Sequence, residues 1–373
     1  MQIAVIGGGV TGLVAARELA NKGHTITIYE RNAHIGGLAA GFPFKGTHLE
    51  HAYHHVFRTD HDLIQLVQEL GIRNRLQWFR SSVAMVVRGR LYPFASAVDV
   101  LRFTPIALIS RLRLGAVLFW LQHRKRWNSL TPIPACIWMS RWCGKQAYQA
   151  VWEPLLRGKF HAYYRDVSMA WLWARIHTRA NSRKREAEKL GYFEGGFAVL
   201  INALEQALED HGVRIRTNMP VTALWASETG KSVMVQTEGG IEQFDRVLCT
   251  VPSPVFAQYI EKAPGVPPAY RNQLNNIRYL NAICVVFSST QSLSPYYWVN
   301  IADRDMPFVA FVQHTNLLPA AWYQGEHVYY AGTYVPKNHA LLSLQDAEIK
   351  ETFLHAVARI FPDFDPQSVT ETH

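Results

Sequence analysis

The chain has 373 residues, of which 49% are hydrophobic, 12% aromatic and 18% charged. This length predicts two or three compact units, and the apolar content excludes global disorder. The chain carries 38 Lys and Arg against 29 Asp and Glu, a formal net charge of +9. The excess of positive charge predicts an anionic partner, such as a phosphate-bearing ligand, a nucleic acid or an anionic membrane surface.

Cysteine usage and the N-terminus predict a cytoplasmic protein. The four cysteines form no C-x-x-C pair; they are Cys136, Cys143, Cys249 and Cys284. This pattern argues against a disulfide framework or a zinc ribbon and fits a reducing compartment. The chain opens with apolar residues 3–6 and has no preceding basic region, which predicts a strand and not a signal peptide.

The N-terminal residues predict a strand–helix–strand unit. The strands are expected at 2–6 and 25–30, with a helix over 11–22 that ends at Gly23. A second helix is expected over 62–70. A hairpin follows over 82–92, with its turn at Gly89-Arg90.

Residues 98–185 show a mostly helical pattern rich in Trp and Arg. The most apolar part, 100–121, is interrupted by Arg102, Arg111 and Arg113. A spanning helix needs roughly 20 apolar residues, so this segment is not expected to cross a membrane. Basic residues beside apolar ones suit a helix lying in the headgroup layer of an anionic membrane. The alternative is a core helix with a solvated basic end.

The second half of the chain predicts one helix followed by strands. A Gly195-Gly196 turn opens a helix that ends near His211, with Leu200, Leu204 and Leu208 on one face. Strands are then expected at 213–217, 220–225, 232–237, 245–250, 279–288, 308–313 and 327–335, and a closing helix at 344–360.

This order of elements predicts an α/β fold. A Rossmann-like dinucleotide-binding domain would comprise residues 1–75 and 190–255. Residues 76–189 would form a helical insertion that faces substrate or membrane. Residues 256–373 would form a mixed β-sheet substrate domain with a closing helix.

The most informative motif is G-x-G-x-x-G, formed by Gly7, Gly9 and Gly12 between a predicted strand and a predicted helix. Gly7 would allow a tight turn, Gly9 would let the backbone approach a pyrophosphate, and Gly12 would let the helix pack closely on the strand. The free N–H groups of the helix N-terminus, at Val10 and Thr11, would bind the phosphates.

An acidic residue ends the second predicted strand. Glu30 lies 18 residues after Gly12 and would accept a hydrogen bond from a ribose 2′-OH. An acid here disfavours a 2′-phosphate, and hence NADP. The motif alone does not separate NAD from FAD. The double glycine Gly36-Gly37 would bring the backbone to the ligand a second time.

Residues 3–37 resemble the N-terminal fingerprint of the FAD-dependent amine oxidase, protoporphyrinogen oxidase and phytoene desaturase superfamily. The matching positions after the glycine motif are Leu13, Ala16, Leu19, Gly23, Ile26, Ile28, Glu30, Gly36 and Gly37. Residues 192–196 also resemble the double-glycine segment of this superfamily, and residues 152–156 and 159–160 resemble a bacterial protoporphyrinogen-oxidase-like subgroup. The resemblance implies the cofactor FAD, bound by Gly7, Gly9, Val10, Thr11, Gly12, Glu30, Arg31, Gly36, Gly37 and Leu38.

The resemblance also implies two later contacts and one departure. Val221 would contact the adenine side through its backbone, and Thr250 would lie on the strand that returns to the FAD domain. Family members close the site with a C-terminal FAD lobe containing a Gly-Asp turn. No such segment is found before His373, so that lobe is expected to be missing from this sequence.

Four histidines cluster at His48, His51, His54 and His55. They could bind a metal, contact the flavin and substrate, or pack as ordinary polar groups. Because metal sites need fixed geometry and supporting groups, no metal is predicted. The family resemblance implies that this stretch lies near the flavin at the start of the substrate cavity, so His54 and His55 are candidates for that cavity.

Aromatic residues offer further candidates for the substrate cavity. Tyr163 and Trp171, with Tyr164 and Trp173 beside them, could line an apolar channel or form ordinary core. No catalytic residue is identified.

A basic stretch follows these aromatics at Arg175, Arg179, Arg183, Lys184 and Arg185. It is interpreted as a solvated or membrane-facing surface, and no nucleic-acid partner is predicted. The absence of G-x-S-x-G and H-E-x-x-H motifs leaves hydrolase functions without support.

Three functions remain open from the sequence. The first is an FAD-dependent oxidoreductase, whether oxidase, dehydrogenase or desaturase, that removes hydride from a hydrophobic small molecule onto flavin N5. The second is a redox-neutral flavin mutase similar to UDP-galactopyranose mutase. The third is a non-catalytic dinucleotide-binding protein. A cytoplasmic location is expected, with peripheral contact to an anionic membrane as one option, and the oligomeric state is left open.

Overall fold

The structure is a computed structural model that describes residues 1–181 and 188–373. Its helices are α1 Val10–Asn21, α2 His61–Glu69, α3 Ala97–Arg102, α4 Leu108–His123, α5 Ala135–Cys143, α6 Lys145–Ala147, α7 Glu153–Phe160, α8 Met169–Asn181, α9 Ala198–Asp210, α10 Ser253–Tyr259, α11 Pro268–Asn275 and α12 Asp346–Ile360. Its strands are β1 Gln2–Ile6, β2 Thr25–Tyr29, β3 Gly41–Phe44, β4 Thr47–Glu50, β5 Val56–Phe57, β6 Leu76–Arg80, β7 Val83–Val87, β8 Arg90–Pro93, β9 Lys189–Phe193, β10 Arg214–Arg216, β11 Val221–Ala226, β12 Val233–Thr237, β13 Gly240–Phe244, β14 Arg246–Cys249, β15 Asn281–Ser289, β16 Trp298–Ile301, β17 Ala310–Gln313, β18 His327–Val335 and β19 Val369–Thr372.

The chain folds into two compact units. The first comprises Met1–His54, Asp62–Gln77 and Tyr192–Arg278. The second comprises His55–His61, Trp78–Gly191 and Tyr279–His373. The second unit takes strands from both predicted substrate regions, and the functional division into three domains stays a prediction.

The first unit is built on a parallel sheet in the order β10-β2-β1-β14. Strands β1 and β2 are rich in β-branched residues, and each buries four of its five residues. Helix α1 buries Gly12, Leu13 and Ala16 and packs on β1, β2 and α9. This arrangement confirms the predicted Rossmann-like α/β fold.

A second, antiparallel sheet of the first unit contains β11, β12 and β13. Its buried side chains, among them Val221 and Val235, share one core with Ala4, Ile6 and Tyr29 of the parallel sheet. The β3–β4 hairpin was not predicted, because its residues alternate poorly between apolar and polar types.

The second unit contains a mixed seven-stranded sheet in the order β19-β15-β18-β17-β16-β7-β8. Only the β7–β16 pairing is parallel. Helix α12 begins with a capping box formed by Gln345 and Glu348 and contributes Phe353 and Val357 to the core of this sheet. These elements confirm the predicted mixed sheet and closing helix.

The β7–β8 hairpin corrects one sequence prediction. The turn residues are Arg88 and Gly89, whose φ angles are +54° and +69°. Arg90 is already in β8 and pairs with Val87. The turn was placed one residue too late, because a two-residue hairpin turn of this type needs positive φ at both central positions.

Helices α3 to α8 confirm the predicted helical segment. Their core includes Leu114 and Leu121 of α4 and Trp138 and Met139 of α5. Within residues 1–181 and 188–373, no helix combines the length and apolar character needed to cross a bilayer.

Candidate dinucleotide site

The G-x-G-x-x-G motif forms the turn between β1 and α1. Gly9 is the N-cap of α1 and provides no side-chain cap, and Leu13 N–H donates to Gly9 O at 3.0 Å. Helix geometry therefore leaves the N–H groups of Val10, Thr11 and Gly12 without intrahelical acceptors. No acid lies in the first turn of α1. The positive end of the helix dipole is thus available to an anionic group.

Two glycines of the motif are required by the protein's own atoms. Gly7 has φ +106°, and a Cβ there would lie 2.7 Å from Thr250 Oγ1. A Cβ on Gly12 would lie 2.0 Å from Gly7 O. The turn and the close helix packing inferred from the sequence therefore both have a steric basis.

The second glycine pair packs directly on the first turn. Gly36 N–H donates to Gly8 O at 2.8 Å, and Gly36 has φ +112°. A Cβ on Gly37, whose φ is +58°, would lie 2.9 Å from Gly9 Cα. Residues 36–37 and 7–9 thus form one glycine-lined surface, which we call the cradle.

Gly9 differs from the other cradle glycines. Its backbone is extended, with φ −74° and ψ 170°, a conformation open to any residue. A Cβ there would meet Gly37 Cα at 3.8 Å, an ordinary contact and the nearest to a described atom. The protein itself therefore does not require glycine at position 9. The space that a side chain would take there is open among the described residues.

Glu30 is fixed beside this turn. Its carboxylate accepts hydrogen bonds from Gly8 N–H at 2.8 Å and Asn32 N–H at 2.9 Å, one on each oxygen. The side chain is 7% exposed. Each carboxylate oxygen has a second lone pair, so the group can still accept a ribose hydroxyl. Gly8 and Asn32 were not identified from the sequence, since backbone donors leave no trace in residue type.

Thr250 holds the glycine turn of the cradle by hydrogen bonds. Its N–H donates to Ile6 O at 2.9 Å, and its hydroxyl lies 3.0 Å from Ile6 O and 3.2 Å from Gly7 O. These bonds tie the residue after β14 to the end of β1 and hold the turn at Gly7. The contact that the structure gives Thr250 is therefore with the glycine turn.

The remaining predicted cofactor contacts lie around the edge of the first unit's sheets. Val221 is buried at the start of β11, whereas Arg31 and Leu38 are exposed. The sequence did not single out Tyr259 at the end of α10. Burial raises the pKa of the Tyr259 phenol, with Cys249 and Glu30 raising it further and Arg31 lowering it. Tyr259 therefore lies within electrostatic range of the predicted ribose acid.

The sequence also missed a buried carboxyl group, Glu50. It accepts hydrogen bonds from Tyr192 OH at 2.8 Å and from Phe197 N–H at 2.7 Å. Burial raises the pKa of Glu50 to about 7, against the lowering effect of both bonds. The sequence marked the region around Glu50 only through the Gly195-Gly196 pair. A Cβ on Gly196 would lie 2.6 Å from the carbonyl oxygen of His48, two residues before Glu50.

Three of the four clustered histidines contact different partners. His51 contacts the ring of Phe42 at 5.3 Å. His54, in the first unit, donates from Nδ1 to Ala52 O at 2.7 Å, and burial lowers the pKa of its imidazole. His55, in the second unit, lies 3.3 Å from Tyr297 OH. Among the described residues, no group of three or more metal-ligating side chains is positioned to hold an ion.

The predicted aromatic candidates separate into two kinds. Trp173 donates from Nε1 to Leu121 O and Arg124 O, both at 3.1 Å, so it closes the C-terminal end of α4. Trp171 packs edge-on against Phe160 at 4.7 Å, and Tyr163 is half-buried. Tyr163 and Trp171 stay predicted substrate contacts.

The predicted basic stretch is described only in part. Arg175 lies over Trp171 and Arg179 lies over Trp298. Arg183, Lys184 and Arg185 lie outside the described residues.

The second unit also contains a cavity of about 430 Å³ between α7 and the sheet. Its charged and titratable lining includes Arg157, His161, Arg304 and His339. Of the aromatic residues singled out from the sequence, Tyr164 lines it, whereas Tyr163, Trp171, His54 and His55 do not.

The parallel sheet and its cradle define an α/β dinucleotide-binding protein. Residues 10–373 match the model of the flavin-containing amine oxidoreductases, and the chain belongs to that family. The family's cofactor is a flavin, and a cradle shaped for a dinucleotide identifies it as FAD. The superfamily predicted from the fingerprint is thereby confirmed.

Individual relatives support the same grouping. A 4,4′-diapophytoene desaturase of Staphylococcus aureus is 24% identical over 331 residues, covering 77% of this chain and 62% of that enzyme. This chain thus spans less than two thirds of that relative's length. Two solved structures each cover 100% of this chain. A putative protoporphyrinogen oxidase from Exiguobacterium sp. 255-15 has a TM-score of 0.79, 21% identity and 86% of its own chain covered. A reduced UDP-galactopyranose mutase has a TM-score of 0.75, 16% identity and 82% of its chain covered. At these identities the two structures show the shared fold alone.

Proposed function

We propose that this chain oxidises a hydrophobic small molecule by transfer of a hydride to FAD. The observation that carries the proposal is the cradle, in which Gly9 leaves open space before the helix N-terminus and Glu30 is fixed beside it. Bound FAD supplies a two-electron acceptor for a C–H bond next to a carbon or nitrogen that loses a proton. The chain's own residues supply binding, orientation and exclusion of water.

Each cradle residue has a definite task in this proposal. The N–H groups of Val10, Thr11 and Gly12 would bind the pyrophosphate, and Glu30 would accept a ribose hydroxyl. Thr250 would keep the turn at Gly7 in place. The further contacts expected from the fingerprint are those of Arg31, Gly36, Gly37, Leu38 and the backbone of Val221.

The choice of a hydrophobic substrate rests on two observations. The similar desaturase from Staphylococcus aureus is named for a 4,4′-diapophytoene substrate. The second unit is also rich in buried aromatic and aliphatic side chains. We therefore expect an apolar substrate that gains a double bond. His54, His55, Tyr163 and Trp171 are our candidates for contacting it, each to be tested by its own substitution.

Such a substrate dissolves in lipid, and we also propose that the protein acts from the cytoplasmic side at the surface of an anionic membrane. The net charge of +9 favours such contact.

The test is reduction of the bound flavin under anaerobic conditions. The full chain, loaded with FAD, is mixed with fractionated lipid extracts while the visible band of oxidised flavin is followed. We expect an apolar fraction to bleach the band and to yield a product with two hydrogens fewer by mass spectrometry. FAD-loaded protein that no apolar fraction reduces would contradict the proposed oxidation.

The mutase alternative keeps one supporting observation, the fold shared with UDP-galactopyranose mutase. A mutase would convert a sugar nucleotide without net flavin oxidation or reduction. Turnover of UDP-galactopyranose without any electron acceptor, together with no response to apolar fractions, would favour it over the oxidoreductase. A protein that binds FAD but shows neither reaction would fit a non-catalytic role.

A further inference from the structure

The positive charge of this chain is concentrated in one segment. Residues 100–152 contain eight of the 38 Lys and Arg residues and none of the 29 Asp and Glu residues. This segment therefore carries +8 of the formal +9, and the remaining residues are nearly neutral. Helices α4 and α5 both lie within it.

Helix α4 is apolar on its exposed side as well as its buried side. Leu114 and Leu121 are buried in the core. The opposite side exposes Leu108, Ile109, Leu112, Phe119 and Trp120, with Ile109 at 80% and Phe119 at 65%. Their spacing of about three and four residues places them on one stripe of the helix. Exposure of such an apolar stripe to water is unfavourable.

Aromatic rings extend this surface from α4 to α5. Trp120 of α4 stacks on Trp138 at 5.8 Å, and Trp138 contacts Trp142 at 5.9 Å. Arg113 joins the same two helices through bonds to the carbonyls of Arg141 and Trp142. Trp142 is itself half exposed. We call the exposed residues Leu108, Ile109, Leu112, Phe119, Trp120 and Trp142 the docking face.

Basic side chains surround the docking face. Arg124 lies over the Trp120 ring at 4.6 Å and Arg141 over the Trp142 ring at 5.9 Å. Lys125 and Arg126 are exposed just beyond the C-terminal end of α4. Tryptophan beside Arg and Lys, next to exposed Leu, Ile and Phe, matches the chemistry of the layer where lipid headgroups meet acyl chains.

We propose that the docking face binds an anionic phospholipid bilayer, with α4 lying in the plane of the headgroup layer. The apolar stripe enters the outer acyl region, and the basic side chains contact lipid phosphates. The inference deepens the membrane contact proposed above and rests on that proposed function. A second copy of the chain is a poorer occupant, because two segments of charge +8 repel each other.

Co-sedimentation of the full, FAD-loaded chain with lipid vesicles tests the proposal. One set of vesicles contains phosphatidylcholine alone, and the other contains equal parts of phosphatidylcholine and phosphatidylglycerol. We expect binding to the mixed vesicles that weakens at high salt, and little binding to phosphatidylcholine.

Two double variants separate the apolar and the basic contributions. Ile109→Ser with Phe119→Ser removes inserted side chains, and Lys125→Gln with Arg126→Gln removes two charges. Each pair is expected to lower the partition coefficient about tenfold or more. The matched controls are Ile241→Ser, an exposed apolar residue of the first unit, and Lys262→Gln with Lys337→Gln, which are exposed elsewhere. The controls should bind like the wild type.

Several outcomes would overturn the proposal. These are equal binding to both kinds of vesicle, no vesicle binding, or docking-face variants that bind like the wild type. A lipid-free dimer that the Ile109 and Phe119 substitutions dissociate would assign the face to a second copy instead. The flavin spectrum and its anaerobic reduction are measured on the same samples. If the wild-type chain does not bind vesicles but its flavin is reduced normally, only the docking face is refuted. If it binds vesicles but its flavin is not reduced, only the oxidation is refuted.

Discussion

The cradle of the first unit and the docking face of the second unit are made of different parts of the chain. Backbone groups form most of the cradle, and side chains form the docking face. In the cradle, glycines place no side chain before the helix N–H groups that we propose bind FAD, and a single carboxylate, Glu30, is held by backbone donors. The docking face consists of exposed apolar side chains, and basic side chains lie beside it.

The difference shows what each kind of site requires. A site made of backbone depends on positions where any Cβ collides, so one methyl group can destroy it. A site made of many side chains depends on summed area and charge, so single substitutions weaken it gradually. A small substitution should therefore have a large effect on a site made of backbone and a small effect on a site made of many side chains.

The largest effect is expected at Gly12. A Cβ in Gly12→Ala would lie 2.0 Å from Gly7 O, so the helix must move away from the sheet. We expect a loss of about 3 kcal/mol in the free energy of unfolding, measured by urea denaturation. Gly239→Ala is the control, since its Cβ would lie 3.6 Å from Thr237 Oγ1. Equal stability of the two variants would show that the cradle is not fixed by close backbone packing.

Glu50 should give the first unit a pH-dependent stability. Its pKa is raised from 4.5 to about 7 by burial, so the stabilising protonated form is complete below pH 4.5 and is lost as pH rises through 7. Gln cannot ionise, and the Tyr192 hydroxyl can turn to accept from its amide. Between pH 4.5 and 8, the stability of Glu50→Gln relative to the wild type should rise by up to roughly 3 kcal/mol.

Urea denaturation at both pH values measures this difference. A stability difference for Glu50→Gln that does not change with pH would mean that burial does not raise the pKa of Glu50 in the folded protein.

A smaller effect is expected at Trp173 in the second unit. Trp173→Phe keeps an aromatic ring but removes the indole N–H that donates to Leu121 O and Arg124 O. The loss should be about 1 kcal/mol in the free energy of unfolding. Trp225→Phe on β11 controls for the smaller ring. If both variants lose the same stability, the indole bonds to α4 contribute nothing.

The sequence predicted the two regions unequally. The cradle could be predicted because Gly7, Gly9 and Gly12 occur at fixed spacing between a strand and a helix, and Glu30 follows the next strand. The strands β15 and β18 were also predicted, because their runs of β-branched and aromatic residues favour a strand over a helix.

Other features depend on information that residue types do not carry. The bonds from Gly8 and Asn32 to Glu30 come from backbone groups, which every residue has. The buried state of Glu50 depends on contacts with residues more than a hundred positions away. The sequence placed apolar and basic residues together near α4. Which side of α4 is exposed depends on the packing of Leu114 and Leu121, and that required the structure.

Titration of FAD into Gly9→Val protein tests the central claim most directly. The extended backbone at Gly9 accepts a branched residue, and the described surroundings leave room for its Cβ, so the apoprotein should fold with a Tm close to that of the wild type. The added methyl groups would occupy the space assigned to the pyrophosphate and should weaken FAD binding about a hundredfold. A folded Gly9→Val protein that binds FAD as tightly as the wild type would contradict the assignment of the cradle as the FAD site.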